Sequence, residues 1–217
     1  MKKQKLTKAK LIQEAKIFAP SHSEMTFPEM YGVTDGKAVG TFIEHKFREY
    51  LARKYEFRAG NSAKGIDFPD VGIDIKVTSI KQPQSSCPYK SVRQKIYGLG
   101  YSLIVFIYDK TDDHENKTGR LNFLHTIFVE KEFTADFQTT KGLLQILESD
   151  ANADDLVAFM HDRNLPLDDI EANKIAEELL KKKPEQGYLT ISNALQWRLQ
   201  YGRVIQVAGK VKGVYRL

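Results

Sequence analysis

From Gly65 to Ser79 the chain reads GIDFPDVGIDIKVTS. Ile66-Asp67-Phe68 alternates apolar, acidic, apolar. Pro69-Asp70-Val71-Gly72 then supplies what a tight turn needs: a proline with preset φ, a short polar residue and a permissive glycine. Beyond the turn, Ile73, Ile75 and Val77 alternate with Asp74, Lys76 and Thr78, the period of two that marks a half-buried strand. The spacing predicts a β-hairpin with one apolar face and one open, charged face. Residues opposite one another across a hairpin share a face, so a connection of two or four residues sets Asp67 beside Asp74 and Lys76. Two carboxylates on a rigid sheet face suit Mg²⁺, a hard cation that takes one or two carboxylates and keeps positions for water and phosphate. The bare pattern of acid, any residue, lysine is unselective. It occurs five times, at Glu14–Lys16, Asp35–Lys37, Glu44–Lys46, Asp74–Lys76 and Glu115–Lys117. Only the Asp74 copy lies in a strand-like alternation with an acid on the preceding arm. The bland alternative is a surface hairpin whose charges face water.

The flanks of this stretch are periodic. Residues 2–19 predict a basic amphipathic helix with Ile12, Ala15 and Phe18 at helical spacing, ended by Pro20. Residues 37–55 predict a helix with Val39, Ile43, Phe47, Tyr50 and Leu51 as its apolar stripe. Glu44 falls at the edge of that stripe, in line with Phe47 and Leu51, and could equally pair with Arg48 one turn on. After the hairpin, residues 79–90 form a polar loop punctuated by Pro83 and Pro88, and a short helix is expected over about 90–99. Residues 101–108, YSLIVFIY, are almost continuously apolar and rich in β-branched and aromatic residues, as in a central strand buried on both faces. A polar loop over 112–119 leads to another strand near 121–129.

Asp67, the turn and Asp74-Ile75-Lys76 resemble the motif of the PD-(D/E)xK nuclease superfamily, whose best-populated branch is the type II restriction endonucleases. The α-β-β-α-β order over residues 37–130 is similar to the core of that superfamily. The resemblance implies an α/β fold: a restriction-endonuclease-like core with a mixed sheet flanked by helices. It implies Mg²⁺-dependent hydrolysis of double-stranded DNA at specific sites, by a homodimer. Asp67 and Asp74 would hold the metal, with the backbone carbonyl of Ile75 as a further ligand. Lys76 would orient or help deprotonate the attacking water and stabilise charge on the phosphate. Glu44 matches an acidic residue that the family often carries on the preceding helix, and Gln94 a glutamine or lysine on the following one. Asp70, the acid of the literal Pro-Asp pair, falls inside the turn and is the reserve for Asp67.

The remainder of the chain predicts helices. Leu143, Leu144 and Leu147 form one stripe, Leu156, Val157, Phe159 and Met160 another, and Asp168 to Lys183 a third helix. Thr190 or Ser192 can cap a helix to about residue 201, and residues 203–217 predict a hairpin. Helix, turn, helix and hairpin resemble a winged-helix DNA-binding unit, so the expected division is a nuclease core over 1–135 and a recognition region over 136–217. DNA contacts are expected from Lys81, Gln82, Gln84, Ser85, Lys90 and Arg93 near the motif. In the last segment they are expected from Asn193, Gln196, Arg198, Gln200, Lys210 and Lys212.

Charge is segregated along the 217 residues: net +8 over 1–100, −10 over 101–180 and +7 over 181–217. Basic ends around an acidic middle suggest faces that meet a polyanion. No run approaches the ~18 apolar residues of a membrane span, no apolar block follows the basic start, and Cys87 is the single cysteine. A cytoplasmic location is expected. The five histidines lack zinc-ligand spacing, and no glycine-rich phosphate loop is present. Two rival readings stand beside the restriction enzyme. One is a repair or junction-resolving nuclease with the same core; the other is a winged-helix regulator that binds without cutting.

Overall fold

The structure is a computed structural model and describes residues 3–58, 60, 65–87, 90–150, 152–192 and 198–217. In chain order its elements begin with β1 (Gln4–Lys5), α1 (Lys8–Ser23), β2 (Thr26–Phe27), α2 (Gly36–Ala52) and β3 (Tyr55–Glu56). The middle of the chain forms β4 (Ile73–Ser79), β5 (Gln84–Ser86), α3 (Arg93–Tyr97), β6 (Ser102–Asp113) and β7 (Thr118–Val129). Then come α4 (Phe137–Glu148), α5 (Ala153–Asp162), α6 (Asp169–Lys181), β8 (Thr190–Ile191), β9 (Arg198–Gln200), α7 (Gly202–Val207) and β10 (Val214–Arg216).

The main sheet is mixed, in the order β10-β7-β6-β4, with β2 pairing on β7. β4 and β6 run parallel, Ile73 opposite Ser102 through Ser79 opposite Tyr108, whereas β6 and β7 are antiparallel. The expected α/β architecture, a mixed sheet flanked by helices, is the one present. β6 is buried on both faces from Ser102 to Tyr108, as its unbroken apolar run requires. One face of the sheet packs against α1 and α2, where Leu11, Ala15, Phe18, Ile43, Phe47 and Leu51 meet Ile73, Ile75, Ile104 and Phe106. The opposite face meets the C-terminal segment through Leu103, Val105, Leu199, Tyr201 and Val204. A third apolar cluster joins α3 to α4, α5 and α6.

Three expectations are corrected. α1 does not stop at Pro20 but runs to Ser23. The hydroxyls of Ser21 and Ser23 donate to the Phe18 and Ala19 carbonyls, satisfying acceptors in the last turn. The arm before the motif turn is not a strand: a single bridge, Phe68 to Ile73, closes a 3₁₀ turn over Pro69–Val71. Gly72 takes the left-handed φ of +64° that this turn needs at its exit.

The largest correction concerns the C-terminus, where the described residues do not form a helix followed by a wing. Residues 190–191 and 198–200 are strands that build a separate three-stranded sheet, β5-β9-β8, and residues 202–207 are helical where a strand was expected. β8 is held by its backbone: the Ile191 N–H donates to Asp136 Oδ2 (2.8 Å), and Lys95 Nζ donates to the Ile191 carbonyl (2.9 Å). β10 closes the chain as a strand of the main sheet, with Val214 opposite Val129.

Candidate active site

Local geometry gathers the motif residues. Because Phe68 bridges Ile73, Asp67 arrives opposite Asp74, and its N–H donates to Asp74 Oδ1 (3.2 Å). Asp67 Oδ2 in turn accepts the N–H of Ile75 (2.9 Å), and its other oxygen pairs with Arg48 from α2. Lys76 Nζ stands 2.8 Å from Asp74 Oδ2. Asp70 points elsewhere: it is exposed in the turn and pairs with Arg58 at 3.2 Å.

The charged face of β4 is not the open one that alternation predicts, since Asp74 is only 3% exposed. Its cover comes from the C-terminal segment and β5. Tyr201 is fully buried, its hydroxyl lies 2.6 Å from Ser85 Oγ, and its N–H donates to the Pro83 carbonyl (2.8 Å). Burial raises the Asp74 pKa to about 7, although the Lys76 charge pulls it down. Burial works against the Lys76 ammonium, yet Asp74 beside it holds its pKa above the ordinary lysine range. Glu44 is raised as well, first by burial and then by the Asp67 charge, which places it in the same electrostatic group. Burial likewise raises the Cys87 thiol, so this cysteine has none of the thiolate character of a nucleophile.

A cleft of about 1150 Å³ opens beside this group. Glu44 and Lys76 line it together with Lys81, Gln82, Gln84, Ser85 and Arg198. Asp67 and Asp74 lie one layer in, joined to the cleft through Lys76 and Glu44. The other expected DNA contacts are placed differently. Arg93 is engaged by Glu171 (2.7 Å) and Glu178 (2.6 Å), clamping α3 to α6. Lys90 is exposed near Gln94, whose side chain is buried and accepts the Lys90 N–H (3.1 Å) rather than reaching the site. Lys210 and Lys212 are exposed in the turn before β10, the strand at the sheet edge opposite β4; Lys212 lies over the Phe133 ring. Gln200 is exposed on β9 beside Gln84. Asn193 and Gln196 lie outside the described residues.

The donor set suits a hard cation. Asp74 Oδ2 is buried and makes no hydrogen bond of good geometry, even with Lys76 Nζ 2.8 Å away, so a lone pair is left open. Among the described residues no three His, Cys, Asp or Glu side chains gather to cage an ion by themselves. Mg²⁺ needs only one or two carboxylates, because it completes its shell with water and substrate phosphate. Two groups at the site escape a motif reading. Arg48 fixes the Asp67 carboxylate, and Tyr201, far away in sequence, is buried within electrostatic reach of Lys76 and Asp74. The first could have been found from its place one turn after Glu44. Nothing local marks the second.

No helix among the described residues is long and apolar enough to cross a membrane. No solved structure matches the chain. A model of the family described as type II restriction enzyme NspV matches residues 5–216. A curated relative, the type II restriction enzyme NspV of Nostoc sp. (strain ATCC 29411 / PCC 7524), is 62% identical over 209 residues. The alignment covers 96% of this chain and 95% of that protein. With its motif stretch and cleft lying inside a match of that extent, the chain belongs to the type II restriction enzyme NspV family.

Proposed function

We propose that this chain is a site-specific double-stranded DNA endonuclease of the PD-(D/E)xK kind, hydrolysing phosphodiester bonds with Mg²⁺. The observation that carries the reading is the meeting of Asp67, Asp74, Lys76 and Glu44 at the edge of one large cleft. Asp67 and Asp74 would hold the ion, with the Ile75 carbonyl as a further oxygen ligand. When bound, Mg²⁺ would act as a Lewis acid on the phosphate and lower the pKa of a coordinated water. Lys76, kept cationic by Asp74, lines the cleft, where it orients the attacking water and offsets negative charge growing on the phosphate. Arg48 pairs with the Asp67 carboxylate and holds it in place. Glu44, with its raised pKa, can take up a proton at the cleft wall.

Lys81, Gln82, Gln84, Ser85 and Arg198 line the same cleft and are the proposed DNA contacts. Cutting both strands of a duplex calls for two such centres, so the proposed working unit is a homodimer with two-fold symmetry. The regulator reading rested on a helix and wing that the C-terminal strands replace.

The test is digestion of plasmid DNA with Mg²⁺, with excess chelator as the control. Discrete fragments that vanish with chelator are the expected outcome. Binding without cutting under all divalent cations would reject the reading. Random degradation or structure-selective nicking would favour a repair or junction-resolving nuclease.

A further inference from the structure

We infer that the small sheet β5-β9-β8 is the base-reading surface of the cleft, with Arg198 set for a guanine and the Gln84–Gln200 pair for an adenine. This rests on the endonuclease reading above and specifies how such an enzyme would choose its site. The argument starts from the pairing register. Gln84 lies opposite Gln200, Ser85 opposite Leu199 and Ser86 opposite Arg198, while Thr190 and Ile191 flank Gln200 and Leu199 on the far side. With a period of two, the residues separate into two faces. Leu199 and Ile191 are buried, and Ser85 bonds the buried Tyr201; Ser86, Arg198 and Gln200 are exposed, and Gln84 is half-buried. One face is therefore glued to the core and the other presents amides, a hydroxyl and a guanidinium.

The chemistry of the outward face matches base edges. Guanidinium forks pair with the O6 and N7 atoms of guanine, and side-chain amides with N6 and N7 of adenine. Opposed side chains such as Gln84 and Gln200 sit roughly 5 Å apart, within the span of one or two base steps. The arginines near the site also divide by use. Arg48 and Arg93 are spent on carboxylates, whereas Arg198 has no carboxylate partner among the described residues. A strand pair fits the major groove, about 12 Å wide. The sheet is also fixed to the catalytic strand. Thr78, two residues beyond Lys76, accepts the Gln84 N–H (3.0 Å) and donates towards the Gln84 carbonyl (3.0 Å). Two residues of strand span roughly 7 Å, so seating a base against Gln84 would position the adjoining backbone at Lys76.

The experiment compares wild type, Arg198→Ala, Arg198→Lys and Gln84→Ala/Gln200→Ala. Cleavage rates are measured on the preferred duplex and on duplexes changed at one base pair each. The expected result is a fall in discrimination on the order of ten- to a hundred-fold, confined for each variant to one base-pair position of the site. Arg198→Lys should lose discrimination as Arg198→Ala does, because it keeps the charge and loses the fork. Unchanged discrimination in all variants overturns the inference. So does a uniform loss over all sequences that lysine restores, which would make Arg198 a phosphate contact. A wild type that binds DNA and never yields discrete fragments would instead reject the endonuclease reading, and this inference with it.

Discussion

Glu14 on α1 and Asp74 on β4 are both buried carboxylates beside a lysine, 5% and 3% exposed, and the fold treats them in opposite ways. Glu14 is saturated: Tyr50 Oη (2.6 Å) and Lys54 Nζ (2.7 Å) donate to one oxygen and Tyr55 Oη (2.8 Å) to the other. Burial would raise its pKa, but these donors carry it below the ordinary carboxyl value. Asp74 collects fewer donors, the Asp67 N–H on one oxygen and the poorly aligned Lys76 ammonium at 2.8 Å on the other, and burial raises its pKa to about 7. A carboxylate that only ties helices together gains from every donor it can collect. One kept for chemistry holds a lone pair back, at a cost in stability that marks it as a functional candidate.

The sharpest way to break this contrast is to remove the Asp74–Lys76 pair. Asp74→Asn or Lys76→Ala alone should lower the cleavage rate on the order of a thousand-fold or more. The double variant Asp74→Asn/Lys76→Met should be as inactive, yet melt at or above the wild-type temperature, because replacing a buried ion pair whole is often neutral or stabilising. A marked drop in melting temperature would make the pair structural, like Glu14. The next effect in size separates the two turn acids. Asp67→Asn should cost on the order of a hundred-fold in rate, since Asp67 bonds Ile75 and Arg48 and adjoins Asp74. Asp70→Asn should leave the rate within about two-fold, because its exposed pair with Arg58 contributes little. The reverse ranking would move the proposed ligand to Asp70.

How far each region could be read from sequence follows from where its partners lie. Of the stripe Val39, Ile43, Phe47, Tyr50 and Leu51, all but the half-buried Tyr50 are buried as the helical spacing predicts, since a helix carries its own hydrogen bonds. Asp67, Asp74 and Lys76 lie within ten residues, so a turn signal and a period of two were enough to bring them together. β8 and β9 are two and three residues long, and their strand conformation comes from pairing with each other and, through β9, with β5. Ser85 and Tyr201, which lock that pairing, are 116 residues apart. Thr190, Ser192 and Leu199 therefore read as a capped helix when only neighbours in sequence are weighed. The cover over Asp74 was hidden for the same reason, and an open charged face was expected in its place.

Glu14 supplies the smaller, purely structural effects. Glu14→Gln leaves Tyr50, Tyr55 and Lys54 facing a weaker acceptor and should cost about 1–3 kcal/mol of stability, with the cleavage rate of folded protein unchanged. Its pH dependence fixes the assignment. Because the folded pKa lies below the unfolded one, the Glu14 contribution is present above the ordinary carboxyl value of 4.5 and is lost as pH falls through the folded value. Asp74, with its pKa raised, works in the opposite direction and cannot produce this acid limb. Thermal melts of metal-free protein should therefore show wild type above Glu14→Gln at neutral pH, with the gap closing between about pH 5 and pH 3. Parallel curves over that range would mean that Glu14 is no better solvated by its three donors than by water, and the distinction between a saturated and an open carboxylate would lose its thermodynamic half.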